Sequence, residues 1–181
     1  NRWKAAALHL GISGVIAAVV VTAMLALWYP QPYFDAMGGS GLLKLLVGVD
    51  VAIGPLLTLI IFDLRKKNLK FDLTVIAVLQ AIALAYGVYV MFEARPVYTV
   101  FVVDRFEVVA AEQLDPNDLA EGAPEYRDLS LTGPRVIGTR LPDKANAAEW
   151  NTLILAGVAG KDVQNFPKYY VPYAEVKDQV L

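Results

Sequence analysis

The stretch "KLLVGVDVAIGPLLTLIIFDLRKK", residues 44–67, carries one acidic residue, Asp50, in the middle of its apolar run. An ionised carboxylate at the centre of a membrane costs about 2.5–3.5 kcal/mol, so we expect Asp50 to be protonated or to have a hydrogen-bonding partner. Shortly after it, Pro55 lacks the backbone N–H that a regular helix uses, and we expect a kink that Gly54 relieves. The run over residues 42–62 is long enough for a helix that crosses the hydrocarbon layer.

Two further apolar runs flank this one. Residues 5–29 contain no fully charged side chain, and residues 71–92 form the third run. Because about 20 residues suffice for a crossing, we predict three transmembrane helices, at about 5–29, 42–62 and 71–92, within a membrane region 1–93. The first run is too long for a cleaved signal peptide and no A-x-A site follows it, so we expect it to be retained.

The composition agrees with a membrane protein and narrows the chemistry. The 181 residues are 56% hydrophobic and 19% charged, whereas ordinary soluble domains are about 25% charged. The net charge of −2 argues against a nucleic-acid partner. The chain has no cysteine and one histidine, His9, which excludes thiolate chemistry and multi-histidine metal sites. We therefore expect no enzymatic activity, no catalytic residue, no metal and no cofactor.

The basic residues next to the predicted helices indicate their orientation. Arg2 and Lys4 precede the first helix, and four more basic residues lie in the loop 63–70, whereas the loop 30–41 has none. Basic loops stay in the cytoplasm. The N-terminus and the loop 63–70 are therefore predicted to be cytoplasmic, and residues 94–181 to lie on the opposite side of the membrane.

Residues 94–181 predict a small extracytoplasmic α+β domain. The segment from residue 93 onwards has 14 acidic and nine basic residues, a net charge of −5. "VYTVFVV" and "FEVVAA" predict a β-hairpin around the polar pair Asp104-Arg105. Asp115 is expected to cap a helix that starts at Pro116, and a third strand is predicted over 135–141.

The rest of this segment predicts further helices and one aromatic loop. Asp143 is expected to cap a helix that extends to about Gly157, and residues 174–181 to begin a last helix. Between them, residues 160–173 predict a loop with Tyr169, Tyr170 and Tyr173. These three tyrosines are candidates for a partner-binding patch. Equally, they suit the core of the domain or a contact with the membrane surface.

The candidate site in the membrane is built around Asp50. At about 1.5 Å per residue, Asp50 lies about 18 Å from the cytoplasmic face, Gln80 about 13 Å and Tyr86 about 22 Å. Gln80 and Tyr86 are therefore its predicted partners, and His9, at about 6 Å, lies too close to the surface. Two roles fit this group: a polar cluster that stabilises the helix bundle, or a docking point for a polar group on another helix.

Small residues spaced four apart predict where the membrane helices pack. Gly14, Ala18, Thr22 and Ala26 form such a stripe in the first helix, Gly48 and Ala52 in the second, and Ala77, Ala81 and Ala85 in the third. Without a hydrophobic force between helices in lipid, close approach at small residues favours their association.

Five segments of the chain resemble the type IV pilin accessory proteins of Gram-negative bacteria, the TfpX/TfpZ type. They are "RWKAAALHLGIS", "WYPQPYF", "GVDVAIGPLLTLIIF", "ARPVYTVFVVDRFEVV" and "FPKYYVPY". The resemblance implies a chaperone-like protein of the bacterial inner membrane that supports the stability or assembly of a type IV major pilin, with its last domain in the periplasm. Joined with the position of Asp50 in the second span, it leads to the hypothesis that Asp50 accepts the amine, or shares a proton with the buried glutamate, of a pilin helix.

Two other functions fit the same layout. One is a three-span membrane sensor whose periplasmic domain binds a ligand, although its cytoplasmic parts offer little to pass a signal on. The other is an accessory subunit of a pilin-modifying transferase. Neighbour identification by crosslinking from Asp50 and Tyr170 would separate these functions.

Overall fold

Long helical segments make up the N-terminal unit, which ends at Phe92. The elements are α1 (Arg2–Leu27), α2 (Tyr33–Ala36), α3 (Gly39–Gly48), a π-helix (Val49–Ile53), α4 (Gly54–Ile61) and α5 (Leu69–Glu93). The structure, a computed structural model, describes residues 2–63 and 67–180, and it describes only the backbone of Leu42, Leu45, Leu46, Val49 and Asp50.

Two helices of the described residues, α1 and α5, are long and apolar enough to cross a membrane. Large apolar side chains cover their outer surfaces, among them Leu8, Val19 and Ile82. The second predicted span, 42–62, is not one regular helix, because the π-helix divides it into α3 and α4. Of the three predicted spans, the described residues therefore support two by length and hydropathy.

A π-helix lies where the sequence predicts a kink. In a regular helix the carbonyl of Val51 would accept a hydrogen bond from the N–H of residue 55, but Pro55 has none. In a π-helix each carbonyl accepts a hydrogen bond from the N–H five residues later, so the carbonyl of Val51 can pair with the N–H of the residue after Pro55. Gly54 keeps helical backbone angles, φ −61° and ψ −54°. The chain thus stays helical through the proline instead of breaking at it.

Aromatic packing joins α1, the loop after it and α5. The Tyr29 hydroxyl donates a hydrogen bond of 2.8 Å to the carbonyl of Met91, and the Trp28 and Phe92 rings meet edge to face at 5.1 Å. Phe34 contacts Tyr29 at right angles. Tyr29 is buried and so serves this cluster.

A four-stranded mixed sheet forms the C-terminal unit, which begins at Glu93. Its strands are β1 (Pro96–Val102), β2 (Arg105–Ala110), β3 (Arg135–Thr139) and β4 (Tyr170–Pro172), in the order β2-β1-β3-β4. β1 pairs antiparallel with β2 and parallel with β3, and β3 pairs antiparallel with β4. Every residue of β1 is buried. The predicted small domain of strands and helices is confirmed.

Helices and short 3-10 turns pack around this sheet. The α-helices are α6 (Pro116–Glu121), α7 (Pro124–Arg127) and α8 (Ala147–Val158). The 3-10 turns are Ala111–Gln113, Val163–Asn165, Pro167–Tyr169, Tyr173–Glu175 and Lys177–Gln179. The predicted start of α6 is confirmed, because the Asp115 carboxylate accepts a hydrogen bond of 2.8 Å from the N–H of Asn117 and Pro116 is the first helical residue.

Several local predictions are wrong. The hairpin turn is Val103-Asp104, and Arg105 belongs to β2. α8 is capped by Asn146, whose side chain accepts from the N–H of Glu149; Asp143 instead accepts from the N–H of Ala145 within the preceding turn. The predicted aromatic loop contains β4, and residues after Tyr173 form 3-10 turns instead of an α-helix.

Three tyrosines meet in the core of the C-terminal unit. The ring of Tyr170 lies 5.2 Å from that of Tyr98 and 5.7 Å from that of Tyr126. The Tyr98 hydroxyl donates a hydrogen bond to the carbonyl of Tyr126, and the Arg135 guanidinium donates to the Tyr98 hydroxyl. The Tyr170 hydroxyl donates to the carbonyl of Gln164. Through these contacts β1 and β4 pack against α7, to which Tyr126 belongs.

Burial makes these phenols hard to ionise. It raises the pKa of Tyr98 and of Tyr170. Burial, and next the Glu125 carboxylate, raise the pKa of Tyr126 to about 12. Because the folded-state values exceed the unfolded value of about 10, this contribution to stability is complete below pH 10 and is lost as the pH rises toward 12.

We therefore expect the C-terminal unit of the full-length protein to lose its tertiary structure between about pH 10 and pH 12, with little change between pH 7 and pH 9. Near-UV circular dichroism in detergent micelles, recorded together with tyrosinate absorbance at about 295 nm, measures this transition. Complete tyrosine ionisation by about pH 10.5 with intact near-UV dichroism would contradict it.

Candidate functional site

A hydrogen bond between two helices anchors the polar site of the N-terminal unit. His9 Nδ1 lies 2.6 Å from Thr58 Oγ1 and joins α1 to α4. Thr58 is 2% exposed. Counted from residues 5 and 62, the ends of the predicted spans, both residues lie about 6 Å along their helices. The two side chains thus form one polar layer.

A second layer lies deeper in the same unit. The Gln80 amide of α5 packs directly over the backbone of Gly54, where a Cβ atom would lie only 1.9 Å from Gln80 Nε2. Ser13 of α1 is also buried. By the same count, these three residues lie about 12–13 Å along their helices. A side chain at position 54 would displace this amide, which lies at the end of a flexible side chain.

A cleft of about 200 Å³ opens between α1 and α5 beside these layers. Its walls are mostly apolar, and its polar groups come from His9, Ser13 and Gln80. The lining residues are His9, Ile12, Ser13, Ile16, Ala77, Gln80, Ala81 and Leu84. An imidazole, a hydroxyl and an amide can both donate and accept hydrogen bonds. The cleft can therefore satisfy one polar group within an otherwise apolar surface.

The structure brings together some of the predicted membrane-site residues and separates others. Gly54 and Gln80 are in contact, and Pro55 is buried beside them. Tyr86 is 68% exposed and, six residues after Gln80, lies roughly 120° away around the helix axis. Tyr86 is therefore not part of this site. The side chain of Asp50 lies outside the described part of the chain.

Sequence reasoning missed three residues of the site: His9, Ser13 and Thr58. A signal for Thr58 was present, since Asp50, Gly54 and Thr58 are spaced four apart and share one helix face. The depth count also matches His9 with Thr58, because both lie about 6 Å from the same side. The depth of His9 excludes it as a partner of Asp50 but does not exclude it as a partner of Thr58.

The packing face of α1 differs from the predicted stripe. The buried residues of α1 are Ala6, Ser13, Ala17 and Met24, whereas Ala18, Thr22 and Ala26 are exposed. On α5, Ala77, Ala81 and Ala85 are likewise exposed, and the first two line the cleft. The small residues of α5 thus border an open surface.

The predicted tyrosine patch of the C-terminal unit is mostly core. Tyr169 and Tyr170 are buried, and the Tyr170 ring belongs to the tyrosine cluster described above. Tyr173 is half-buried, with its ring 6.0 Å from that of Phe106. Of the three, only Tyr173 is left on the surface. The prediction of a partner-binding patch formed by all three side chains is therefore wrong.

Comparison with known proteins gives a consistent relationship along the chain. The family model described as fimbrial assembly protein FimB matches residues 1–38. A fimbrial assembly protein of Dichelobacter nodosus, serogroup I, is 31% identical over 179 residues, which are 98% of this chain and 69% of that relative. This chain belongs to the fimbrial assembly protein family. The resemblance to the type IV pilin accessory proteins is thereby confirmed at the family level.

Two more members of the fimbrial assembly protein family, also from Dichelobacter nodosus, match the chain. The serogroup E1 protein is 30% identical over 98% of this chain and 69% of its own length. The protein of serogroups C1 and C2 is 36% identical over 59% of this chain and 83% of its own length. No solved structure matches the chain.

In this member of the fimbrial assembly protein family, Gly54→Ala is expected to destabilise the N-terminal unit by about 1–3 kcal/mol, because the new methyl group overlaps the Gln80 amide. Gly48→Ala is the matched control. A Cβ atom at Gly48 would meet no atom of the described side chains within 4 Å, so this change is expected to be neutral or to stabilise by up to about 1 kcal/mol. Thermal unfolding in detergent, followed by circular dichroism, measures both.

A double variant tests whether the Gln80 amide is the cause. Gln80→Ala removes the overlapping atoms, so Gly54→Ala is expected to cost less in that background, with a coupling of about 0.5–3 kcal/mol. Equal effects of Gly54→Ala with and without Gln80, or equal effects of Gly54→Ala and Gly48→Ala, would contradict the proposed contact.

Proposed function

We propose that the protein is a non-enzymatic accessory factor of the bacterial inner membrane that binds a fimbrial subunit, a type IV major pilin, and supports its stability or its assembly into fimbriae. The observation that carries the proposal is the relationship to fimbrial assembly proteins over 98% of the chain. The apolar helices α1 and α5 support the membrane location, and the cleft between them supports a binding role.

The proposed layout has three membrane crossings. From Gly39 to Ile61 the chain is helical throughout, a length of about 34 Å at 1.5 Å per residue, which exceeds the hydrocarbon thickness of about 30 Å. The π-helix keeps backbone groups paired where lipid offers no alternative partner. Together with the basic residues at the N-terminus and in the loop 63–70, this layout puts the C-terminal unit in the periplasm.

Reporter fusions test the layout. Fusions in the loop 30–41 and after Val180 are expected to show periplasmic alkaline phosphatase activity, and a fusion at Asn68 is expected to show cytoplasmic reporter activity. A cytoplasmic reporter signal after Val180 would contradict the three-crossing layout, because an even number of crossings returns that end to the side of the N-terminus.

The cleft between α1 and α5 suits a partner helix. In lipid, helices associate through close packing at small residues and through hydrogen bonds between polar side chains. The cleft offers both, with Ala77 and Ala81 at its border and the His9, Ser13 and Gln80 side chains along its walls. A fimbrial subunit held in the membrane by an apolar helix with one polar group could pack here. The Asp50 carboxylate is proposed to contribute to docking such a group.

We expect Ala81→Leu to weaken capture of the fimbrial subunit at least about fivefold, because the larger side chain fills the cleft at a cost of about 1–3 kcal/mol. Ala18→Leu is the matched control, since Ala18 is an exposed alanine of α1 that does not line the cleft. Co-purification of the native subunit from detergent-solubilised membranes, with protein levels held equal, measures capture; surface fimbriae are counted in parallel.

Equal capture by the Ala81→Leu and Ala18→Leu variants would contradict binding at the cleft. Asp50→Asn gives an independent test, because it keeps the shape of the side chain and removes its charge. Unchanged subunit capture and unchanged fimbriation in that variant would reject a role for the Asp50 carboxylate in docking.

A further inference from the structure

α8 of the C-terminal unit exposes the wrong kind of surface for a helix in water. A surface helix ordinarily turns its apolar face to the core and its charged face to solvent. In α8, only Leu153 and Ala156 pack on the core. The single charged residue of the helix, Glu149, is half-buried on the side of these residues. The polarity of the helix is thus reversed.

The outward face of α8 carries no charge and, apart from Asn151, is apolar. Ile154 is 60% exposed, Leu155 70% and Val158 85%. Their neighbours on this face, Ala148 and Asn151, are also exposed and carry no charge. Exposed apolar groups of this kind mark a contact with another apolar phase or partner.

We propose that the outward face of α8 inserts shallowly into the membrane surface next to which the C-terminal unit is held. The inference rests on the proposed membrane layout, in which α5 crosses the bilayer. Only two residues separate the end of α5 at Glu93 from the start of β1 at Pro96. The unit is therefore tethered to that surface, and a tethered group needs little apolar area to insert, because its effective concentration at the surface is high.

Size favours lipid over a protein partner. The apolar face consists of three aliphatic side chains, well below the roughly 800 Å² per partner that a stable protein complex buries. Residues 93–181 have a net charge of −5, so attraction to anionic headgroups does not draw the unit to the membrane. Insertion therefore depends on apolar contact, and zwitterionic lipid is sufficient for it.

Tryptophan quenching in nanodiscs tests the insertion in the full-length protein. The chain has three tryptophans, and Trp150 lies in α8. In a Trp3→Phe, Trp28→Phe background, Trp150 is expected to be quenched by phosphatidylcholine brominated near the headgroup, and to the same extent when phosphatidylglycerol is added. Leu155→Asp combined with Val158→Asp is expected to reduce the quenching at least about threefold, because charge is expelled from the apolar layer.

Leu131→Asp is the matched control, since Leu131 is a 61% exposed apolar residue of the same unit outside α8. In this variant the quenching of Trp150 is expected to stay unchanged. Leu155→Ser with Val158→Ser gives the same test with a smaller perturbation, and near-UV circular dichroism of each variant establishes that the unit is folded. The inference would be overturned if Trp150 is not quenched in the protein with the unaltered α8. It would also be overturned if the α8 variants leave the quenching unchanged.

A second protein separates this failure from failure of the layout. It keeps Trp28, near the end of α1, and replaces Trp3 and Trp150 by Phe. Quenching of Trp28 without quenching of Trp150 overturns the insertion of α8 and leaves the layout intact, whereas absence of both overturns the layout as well. A photo-crosslinker at Leu155 in cells that labels a protein instead of lipid would also overturn the inference.

Discussion

The missing N–H of Pro55 is the constraint on which the membrane part of this protein depends. A proline inside a regular helix costs about 3 kcal/mol or more, and lipid supplies no water to replace the lost hydrogen bond. In this chain the residues before the proline, Val49–Ile53, form a π-helix. Directly after the π-helix, Gly54 has no side chain, and the Gln80 amide occupies the space beside it. The polar contact of the second helical segment thus lies next to the residue that lacks the donor.

The site that results is polar without a charged group among its described side chains. His9 with Thr58, and Gln80 with Gly54, tie three helical segments together in two layers, while the cleft beside them stays open. The polar side chains that line the cleft can both donate and accept hydrogen bonds, which suits a polar group on a partner helix. The fimbrial assembly role proposed for the chain needs a site of this kind: specific in lipid, and reversible when the subunit leaves.

The sequence predicts features whose signal lies in adjacent residues better than features that depend on contacts between distant ones, and particular residues explain why. The apolar runs predict α1 and α5, and Asp115-Pro116 predicts the start of α6, because each signal lies in a few adjacent residues. The second span is divided because hydropathy does not register a missing hydrogen bond. Tyr86 matched Asp50 in depth, but depth along a helix carries no information about direction around it. Tyr169 and Tyr170 lie in the core because β4 brings them there, and a strand of three residues leaves almost no pattern in the sequence.

The strand order of the C-terminal unit has a consequence for how the unit is made. β1 follows α5 directly, lies between β2 and β3 and is buried along its whole length. During synthesis β2 emerges next and can pair at once, but the parallel neighbour begins only at Arg135. Until that segment has been synthesised, one edge of an apolar strand remains unpaired. The interval before β3 arrives is therefore when this unit is most open to mispairing or to proteolysis.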